Sequence, residues 1–512
     1  MPVPVPSGSF GDLAGVKDGV VWIEVADRGG ELGATRAGVT GEAPSDVLWH
    51  YNLSARHLDK LCERVDTFSV SGDGERLVVR HRDDIIVVPS SHKVDDDDPA
   101  CIRVDLTRLR RTVNPRAEWR QMFDENGRLM ASHYWREDMN GVDWDGVLNR
   151  YRPLVDLCHV VDDLHDILWE TVAELNTSHS YVSASGAAGD SDMRAGLLGA
   201  DVSSGADGAK VVRVIPGESS DPRAWSPLRA AGVAVTEGDV IVAVDGRKVG
   251  ADGNLGELLE GSAGRVVELT VHRGENERQV AVVPMADEAP LRYHDWVASR
   301  RRYVEEHSGG RLGYLHVPDM VSDGWAELHR QIGEATRHEG VIADVRFNHG
   351  GHTSQLVVER LARRVVGWDY SRWYATADTY PQNAVRGPIV MVTNQWAGSD
   401  GDIVAAATQA MGYAKVIGER SWGGVVGIDG RFDLVDGTSV TQPRYAGWYG
   451  SYGWGVENHG VDPDIVVTVS PEDWEADRDV QLDAAIAECL RQLDDKPAAT
   501  APELPGPAFG RC

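Results

Sequence analysis

Residues 388–402 read Pro388-Ile-Val-Met-Val-Thr-Asn-Gln-Trp-Ala-Gly-Ser399-Asp400-Gly401-Asp402, and Ala- and Val-rich helical sequence follows directly. A β-run, a Gly-Ser-Asp-Gly turn and a helix start succeed one another without a break. This order puts one hydroxyl at the carboxyl end of a buried strand and at the positive end of a helix, a placement that suits a nucleophilic serine. It is not a complete G-x-S-x-G elbow, because Ala397 stands where the first glycine would be. Gly-Ser-Asp-Gly is also common turn chemistry, so the motif needs support from the rest of the chain.

Working outward, residues 288–495 alternate strand and helix: Leu312-Gly-Tyr-Leu-His-Val, a helix near 323–337, Gly340-Val-Ile-Ala-Asp-Val, a helix near 353–365, Ile389-Val-Met-Val-Thr, the helix after Ser399, Ala414-Lys-Val-Ile-Gly and a last helix near 477–493. That pattern predicts an α/β domain around a buried sheet. Residues 496–512, rich in Pro and Ala, read as a disordered tail. Residues 189–287 form a separate unit. Its Ser226-Pro-Leu-Arg-Ala-Ala-Gly and Gly238-Asp239-Val-Ile-Val-Ala-Val-Asp245-Gly246 closely resemble a PDZ domain, with Gly196-Leu-Leu-Gly199 as a candidate carboxylate-binding loop. Such a module adds an extended peptide to a sheet edge or serves as a rigid spacer.

Residues 109–188 switch to helical periodicity, with apolar runs from Trp119, Trp144 and Val161, and with Asp143 and Asp156 as helix-start signals. Residues 1–108 read as short strands between Gly and Asp turns. The strand-turn-strand spacing of Phe68-Ser-Val-Ser-Gly-Asp-Gly-Glu-Arg-Leu-Val-Val-Arg80 fits a β-propeller blade. A blade takes roughly 40–50 residues, so this segment holds about the last two blades of a partial propeller. The fold class expected is therefore multidomain α+β: partial propeller, helical domain, PDZ domain and α/β domain.

Composition narrows the partners. With 51 basic against 80 acidic residues the net charge is −29, which argues against nucleic acid or an anionic membrane. The five cysteines (Cys62, Cys101, Cys158, Cys489, Cys512) are scattered and lack C-x-x-C spacing, which fits a reducing compartment and offers no thiolate metal site. No apolar run approaches the ~18 residues of a membrane span, and the N-terminus has no leader pattern. A cytoplasmic location is expected. His349-x-x-His352 with His459 and Glu457 lacks the H-E-x-x-H pairing of a zinc site, so no metal and no cofactor is expected.

A serine needs a base, most often a histidine held by a third group. Among 17 histidines, His179 at the exit of the helical domain is the preferred candidate. Thr177-Ser178-His179-Ser-Tyr, the PDZ pattern, Arg346-Phe-Asn-His-Gly350-Gly351, Gly398-Ser399-Asp400-Gly401-Asp402 and Gly455-Val-Glu457-Asn-His-Gly460 occur in one order. Together they resemble the tricorn proteases, serine peptidases of the tail-specific protease superfamily with a crotonase-like catalytic domain, over residues 1–495.

The resemblance implies a Ser-His-Ser-Glu tetrad. Ser399 would be the nucleophile and His179 the base. Ser178 would hold the imidazole tautomer, and Glu457 would accept a hydrogen bond from that serine. It also implies an oxyanion site from the backbone N–H groups of Asp400 and Gly350, with Gly351 as the alternative to Gly350. Asp369 is a candidate for selecting basic substrate side chains, against the reading of a plain surface aspartate. Oligopeptide substrates released by the proteasome, a hexamer and downstream aminopeptidases follow from the family. The missing propellers put assembly and substrate gating in question. Asp402 reads as a helix N-terminal charge. Two alternatives stand beside this reading. One is a C-terminal processing protease with a serine–lysine dyad, whose lysine falls where this chain has Gly423-Gly424, with Lys415 out of register. The other is a non-catalytic peptide-binding scaffold built on the PDZ domain.

Overall fold

A computed structural model describes residues 5, 7–26, 45–95, 97–184, 193–250, 254–373 and 375–504. The chain divides into two compact units, Met1–Val113 with Ser219–Pro222, and Asn114–Glu218 with Arg223–Cys512. The first unit holds two antiparallel four-stranded sheets. β1 (Ser9–Val16), β2 (Gly19–Val25), β3 (Val47–Asn52) and β4 (His57–Glu63) pair in chain order, and so do β5 (Thr67–Val70), β6 (Arg76–His81), β7 (Asp84–Pro89) and β8 (Ile102–Arg103). Each is a blade-like meander, the form expected of a partial propeller. Alternating side chains turn inward, so Val21, Ile23 and Leu48 share one core with Leu77, Val79 and Val88.

In the second unit three helices come first. α1 (Pro115–His133) starts with Pro at its first position behind Asn114, whose side chain accepts the Ala117 N–H. α2 (Trp144–Val155) is capped by Asp143, which accepts the Gly146 N–H at 3.0 Å. α3 (Val161–Ala173) is not started by Asp156, which ends α2 instead. Asp163 inside α3 reaches back to the His159 and Val160 N–H groups at 2.7 and 3.2 Å. The expectation for Asp156 fails because a carboxylate in the helix's own first turn satisfies those donors better than one several residues upstream. The chain then passes Ser178 and His179 into β9 (Val182–Ser183).

A PDZ-like sheet follows, with β10 (Ala200–Gly205), β11 (Gly208–Val214), β12 (Val240–Val244), β13 (Arg247–Lys248), β14 (Val267–Arg273) and β15 (Asn276–Val282), and one short helix, α4 (Leu255–Leu258). Three of the four amides of the Gly196–Gly199 loop are engaged within the chain. Gly196 N–H donates to Leu259 O at 2.8 Å, Leu197 N–H to Met285 O at 2.8 Å and Gly199 N–H to Glu288 Oε2 at 3.1 Å. Gly199 N–H thus already holds a carboxylate of its own chain.

The remainder is an α/β layer. Five parallel strands run in the order β16 (Leu312–His316), β17 (Gly340–Asp344), β20 (Ile389–Thr393), β21 (Ala414–Gly418) and β25 (Ile465–Val466), with β18 (Gly367–Asp369) and β19 (Asp378–Tyr380) forming a side hairpin. The first four read as continuous apolar runs because both faces are covered. Tyr314, Ile342, Val390, Val392 and Ile417 meet α5 (Ala289–His307) and α10 (Val480–Asp495). Leu315, Val341, Ala343, Met391 and Val416 meet α6 (Ser322–Ala335), α7 (Ser354–Leu361) and α8 (Asp400–Met411). Between β21 and β25 lie β22 (Gly427–Asp429), β23 (Ser439–Val440) and β24 (Gln442–Tyr445), and α9 (Pro471–Glu475) follows β25. β23 pairs with β9, so the segment after His179 is stitched into the α/β half.

Residues 496–504 are not the disordered tail expected of them. Ala498 packs beside α10, Ala499 N–H donates to Arg386 O at 2.8 Å, and the Tyr370 hydroxyl donates to Pro502 O. Small side chains let this Pro/Ala segment lie close to the domain. The boundary expected at 188/189 and residues 505–512 lie outside the described residues. Among the described residues no helix is long and apolar enough to cross a membrane.

Candidate active site

Ser399 sits where β20 gives way to α8, with φ 57° and ψ −120°. A non-glycine residue in that region is strained by about 1–3 kcal/mol, and such strain persists only where the surroundings fix it. Here Ala397 is fully buried with its N–H on Asn394 O at 3.0 Å, and Gly398 N–H donates to Asn348 O at 3.0 Å. The Ala397 methyl is therefore accommodated where the motif would have glycine. On the other side of Ser399 the Asp400 carboxylate accepts Ser354 Oγ and N–H at 2.5 and 2.8 Å, tying the start of α8 to the start of α7.

The loop after β17 presses against the serine. A Cβ on Gly350, at φ 76°, would lie 2.5 Å from Ser399 Cβ, and a Cβ on Gly351, at φ 147°, would meet Met320 O at 2.1 Å. Neither position tolerates a side chain. The Gly350 N–H donates to the buried Asn348 Oδ1 at 2.9 Å. The Gly351 and Asp400 N–H groups have no acceptor among the described residues. Of the two glycines weighed from sequence, Gly351 is thus the one with an uncommitted donor.

His179 is 6% exposed. Its Nδ1 lies 2.6 Å from Val426 O, so Nδ1 carries the proton and Nε2 is left as an acceptor. Burial pulls its pKa below the ordinary histidine value, against the opposing effects of the Val426 carbonyl and the Glu457 charge. Trp422 and Tyr181 stand edge-on to the imidazole, each with centroids 5.7 Å away. Among the described residues no hydrogen bond joins Ser399 Oγ to His179; unliganded sites commonly hold this contact longer than the reacting complex does.

Ser178 and Glu457 do meet. Ser178 N–H and Oγ donate to Glu457 Oε1 and Oε2 at 2.8 and 3.1 Å, and the Val425 and Val426 N–H groups donate to Oε2 at 2.7 and 3.0 Å. Ser178 was expected to hold the imidazole; among the described residues its hydroxyl bonds Glu457, the Nδ1 partner is the Val426 carbonyl, and Glu457 bonds the segment that carries this carbonyl. A backbone oxygen has no signature in a sequence, which is why it escaped prediction. Asn348, which joins both loops at the serine, escaped because a lone Asn reads as turn chemistry.

Other candidates make no bond to these residues among the described residues. Asp369 ends β18, and no hydrogen bond or ion pair links it to Ser399, His179 or Glu457 among the described residues. Lys415 is 54% exposed and lies 3.4 Å from Asp464, so it is no partner for the serine. His459 pairs with Asp462 at 2.8 Å, and among the described residues no group of three His, Cys, Asp or Glu could hold a metal ion.

Comparison with known proteins gives these positions a context. The model of Peptidase family S41 matches residues 311–467, that of the tricorn protease PDZ domain residues 196–287, and that of the tricorn protease C1 domain residues 115–173. Tricorn protease homolog 1 of Streptomyces coelicolor is 54% identical over 510 residues, covering 99% of this chain and 48% of that protein. Tricorn protease of Thermoplasma acidophilum is 35% identical over 454 residues, 88% of this chain and 42% of its own length. The crystal structure of the tricorn protease superposes with a TM-score of 0.86 at 33% identity, covering 96% of this chain and 47% of that one. The chain spans about half the length of these relatives.

Proposed function

The chain belongs to the tricorn protease family, and from that premise we propose that it is a serine peptidase cleaving oligopeptides with Ser399 as nucleophile. His179 Nε2 takes the Ser399 Oγ proton as Oγ attacks the peptide carbonyl carbon. The carbonyl oxygen becomes an oxyanion between the N–H groups of Asp400 and Gly351, with Gly350 released from Asn348 as the alternative donor. Each such donor contributes about 3–4 kcal/mol to the transition state in known hydrolases. Collapse breaks the C–N bond, and the imidazolium passes its proton to the leaving amine. Water, deprotonated by the same imidazole, then releases the acyl group from Ser399.

The observation that carries this reading is the pairing of a strained serine at the start of α8 with a buried imidazole whose Nδ1 proton is committed to Val426 O. Ser178 and Glu457 support it as a unit that fixes the Val425–Val426 amides. Proteasome-released substrates, a hexamer and downstream aminopeptidases rest on the family resemblance alone, and a cytoplasmic location rests on that resemblance together with the scattered cysteines of the sequence. The test is hydrolysis of a mixed fluorogenic oligopeptide set beside Ser399→Ala, with labelling by a serine-reactive phosphonate. Cleavage and labelling lost in the variant support the reading. Cleavage that survives in the variant, or none by the unsubstituted chain, overturns it.

A further inference from the structure

Asp402 occupies the first turn of α8, three residues after Ser399, and is fully buried. A carboxylate serving only the helix dipole would stay in water, where its charge costs nothing to solvate. Asp402 instead turns both oxygens to the segment Ser421–Val426. Oδ1 accepts the Ser421 hydroxyl at 2.5 Å and the Gly423 N–H at 2.8 Å, and Oδ2 accepts the Gly424 N–H at 3.3 Å. The same segment then gives the Val425 and Val426 N–H groups to Glu457 and the Val426 carbonyl to His179. Its far side is tied down too, by Trp422 N–H on Ala397 O at 2.9 Å and by Asn458 N–H on Gly423 O at 2.7 Å. One short strap therefore runs from the serine's helix to the base.

We propose that Asp402 is a positioning residue for the peptidase reaction: from the helix that presents Ser399 it holds the Ser421–Val426 strap, and through the Val426 carbonyl it orients His179. The proposal rests on the peptidase reading above. Asp402 touches no reacting atom; its role is to keep nucleophile and base in one frame. The glycines make this possible, since Gly423 at φ 92° lets consecutive amides turn toward one carboxylate.

The device is sensitive to protonation. Burial pushes the Asp402 carboxyl up to about 6, against the hydrogen bonds from Ser421, Gly423 and Gly424 that favour its charge. The groups facing it are the Ser399 backbone on its own helix, the Ser421 hydroxyl and glycine amides of the strap, and the Tyr449 phenol, itself raised to about 12 chiefly by burial. Asp402 makes no ion pair among the described residues. Protonation removes the charge from the strap's bonds, so acid weakens the hold on the base while His179 itself takes a proton.

The experiment compares the full chain with Asp402→Asn and Ser421→Ala in steady-state hydrolysis across pH 4–8, with phosphonate labelling of Ser399 and a thermal melt. In Asp402→Asn, kcat falls about 10²-fold with KM little changed, as expected for a small misplacement of base against nucleophile. The acid limb of kcat/KM, steepened in the unsubstituted chain by two proton uptakes, becomes that of a single group. Ser421→Ala removes one hydrogen bond to the carboxylate, so its acid limb moves to higher pH with a smaller loss of kcat; it carries the test if Asp402→Asn does not fold. A folded variant that loses only melting temperature, or whose kcat falls with the acid limb unmoved, overturns the proposal in favour of a purely structural Asp402. An unsubstituted chain that neither hydrolyses nor labels overturns the peptidase reading itself, a result distinct from either.

Discussion

The two halves of the candidate site are held by different physics. The serine side stands on a parallel sheet covered on both faces, where Val390, Met391 and Val392 are fully buried and the strand runs straight into α8. The base side has no such platform: His179 is fixed by a carbonyl from the Ser421–Val426 strap and by Thr441, whose hydroxyl donates to His179 O at 2.7 Å. Sheet packing underlies the first half, to which hydrogen bonds add, whereas in the second the hydrogen bonds to the strap set the imidazole between its aromatic neighbours. The lesson is that the serine should survive perturbations that displace the imidazole, because a packed strand moves as a body whereas a strap moves one bond at a time.

Ser399→Ala gives the largest effect: kcat falls by about 10⁶-fold, the scale seen on removing a hydrolase nucleophile, and phosphonate labelling disappears. Gly350→Ala comes next. Its methyl would lie 2.5 Å from Ser399 Cβ at a left-handed φ, so the serine must move, and a loss of about 10²- to 10³-fold in kcat is expected with labelling slowed in parallel. Glu457→Ala strands the N–H groups of buried Val425 and Val426 and of half-buried Ser178, with the Ser178 hydroxyl, costing up to about 1–3 kcal/mol for each buried donor left unsatisfied. If the halves are held as described, it lowers kcat and melting temperature together, while a Ser399 label still reacts slowly. Equal collapse of hydrolysis and fold in Glu457→Ala and Ser399→Ala would erase the distinction.

The pH profile sharpens the comparison further. His179 must be neutral to act as base, and burial lowers its pKa. Its contribution to the acid limb of kcat/KM therefore lies below the ordinary histidine value of about 6.5, with activity falling as pH falls through it. The sign for stability is the same. Below that ordinary value the unfolded chain binds the proton that the folded chain refuses, so His179's contribution declines as pH drops and levels off below its folded pKa. The smallest effect is expected from Lys415→Ala, which removes an exposed pair with Asp464 and should leave kcat within about twofold.

What was legible from sequence was local. Pro388 to Asp402 shows a strand, a turn and a helix start in one stretch because a buried parallel strand must be apolar throughout and a helix must be entered from a turn. The PDZ pattern and the blade spacing are legible for the same reason. The base side was legible only through its side chains. Ser178, His179 and Glu457 can be picked out, yet the Val426 carbonyl that orients the imidazole belongs to a residue any apolar side chain could fill. Asp402 was visible as an acid but not as an anchor, since its partners include the amides of Gly423 and Gly424, 21 and 22 residues on. Asp156 and the 496–504 segment misled for another reason: composition ranks what a residue prefers, whereas its neighbours decide what it does.

The distance along the chain between Ser178 and Glu457 has a consequence for how the protein is made. Their contact joins residues 279 apart, and His179 waits for a carbonyl 247 residues downstream. On the ribosome the base emerges long before anything that can hold it, and the serine appears before its last supporting carboxylate. On the peptidase reading proposed above, the site is complete only once Glu457 has left the ribosome, so the order of translation delays the chemistry until the fold can hold it.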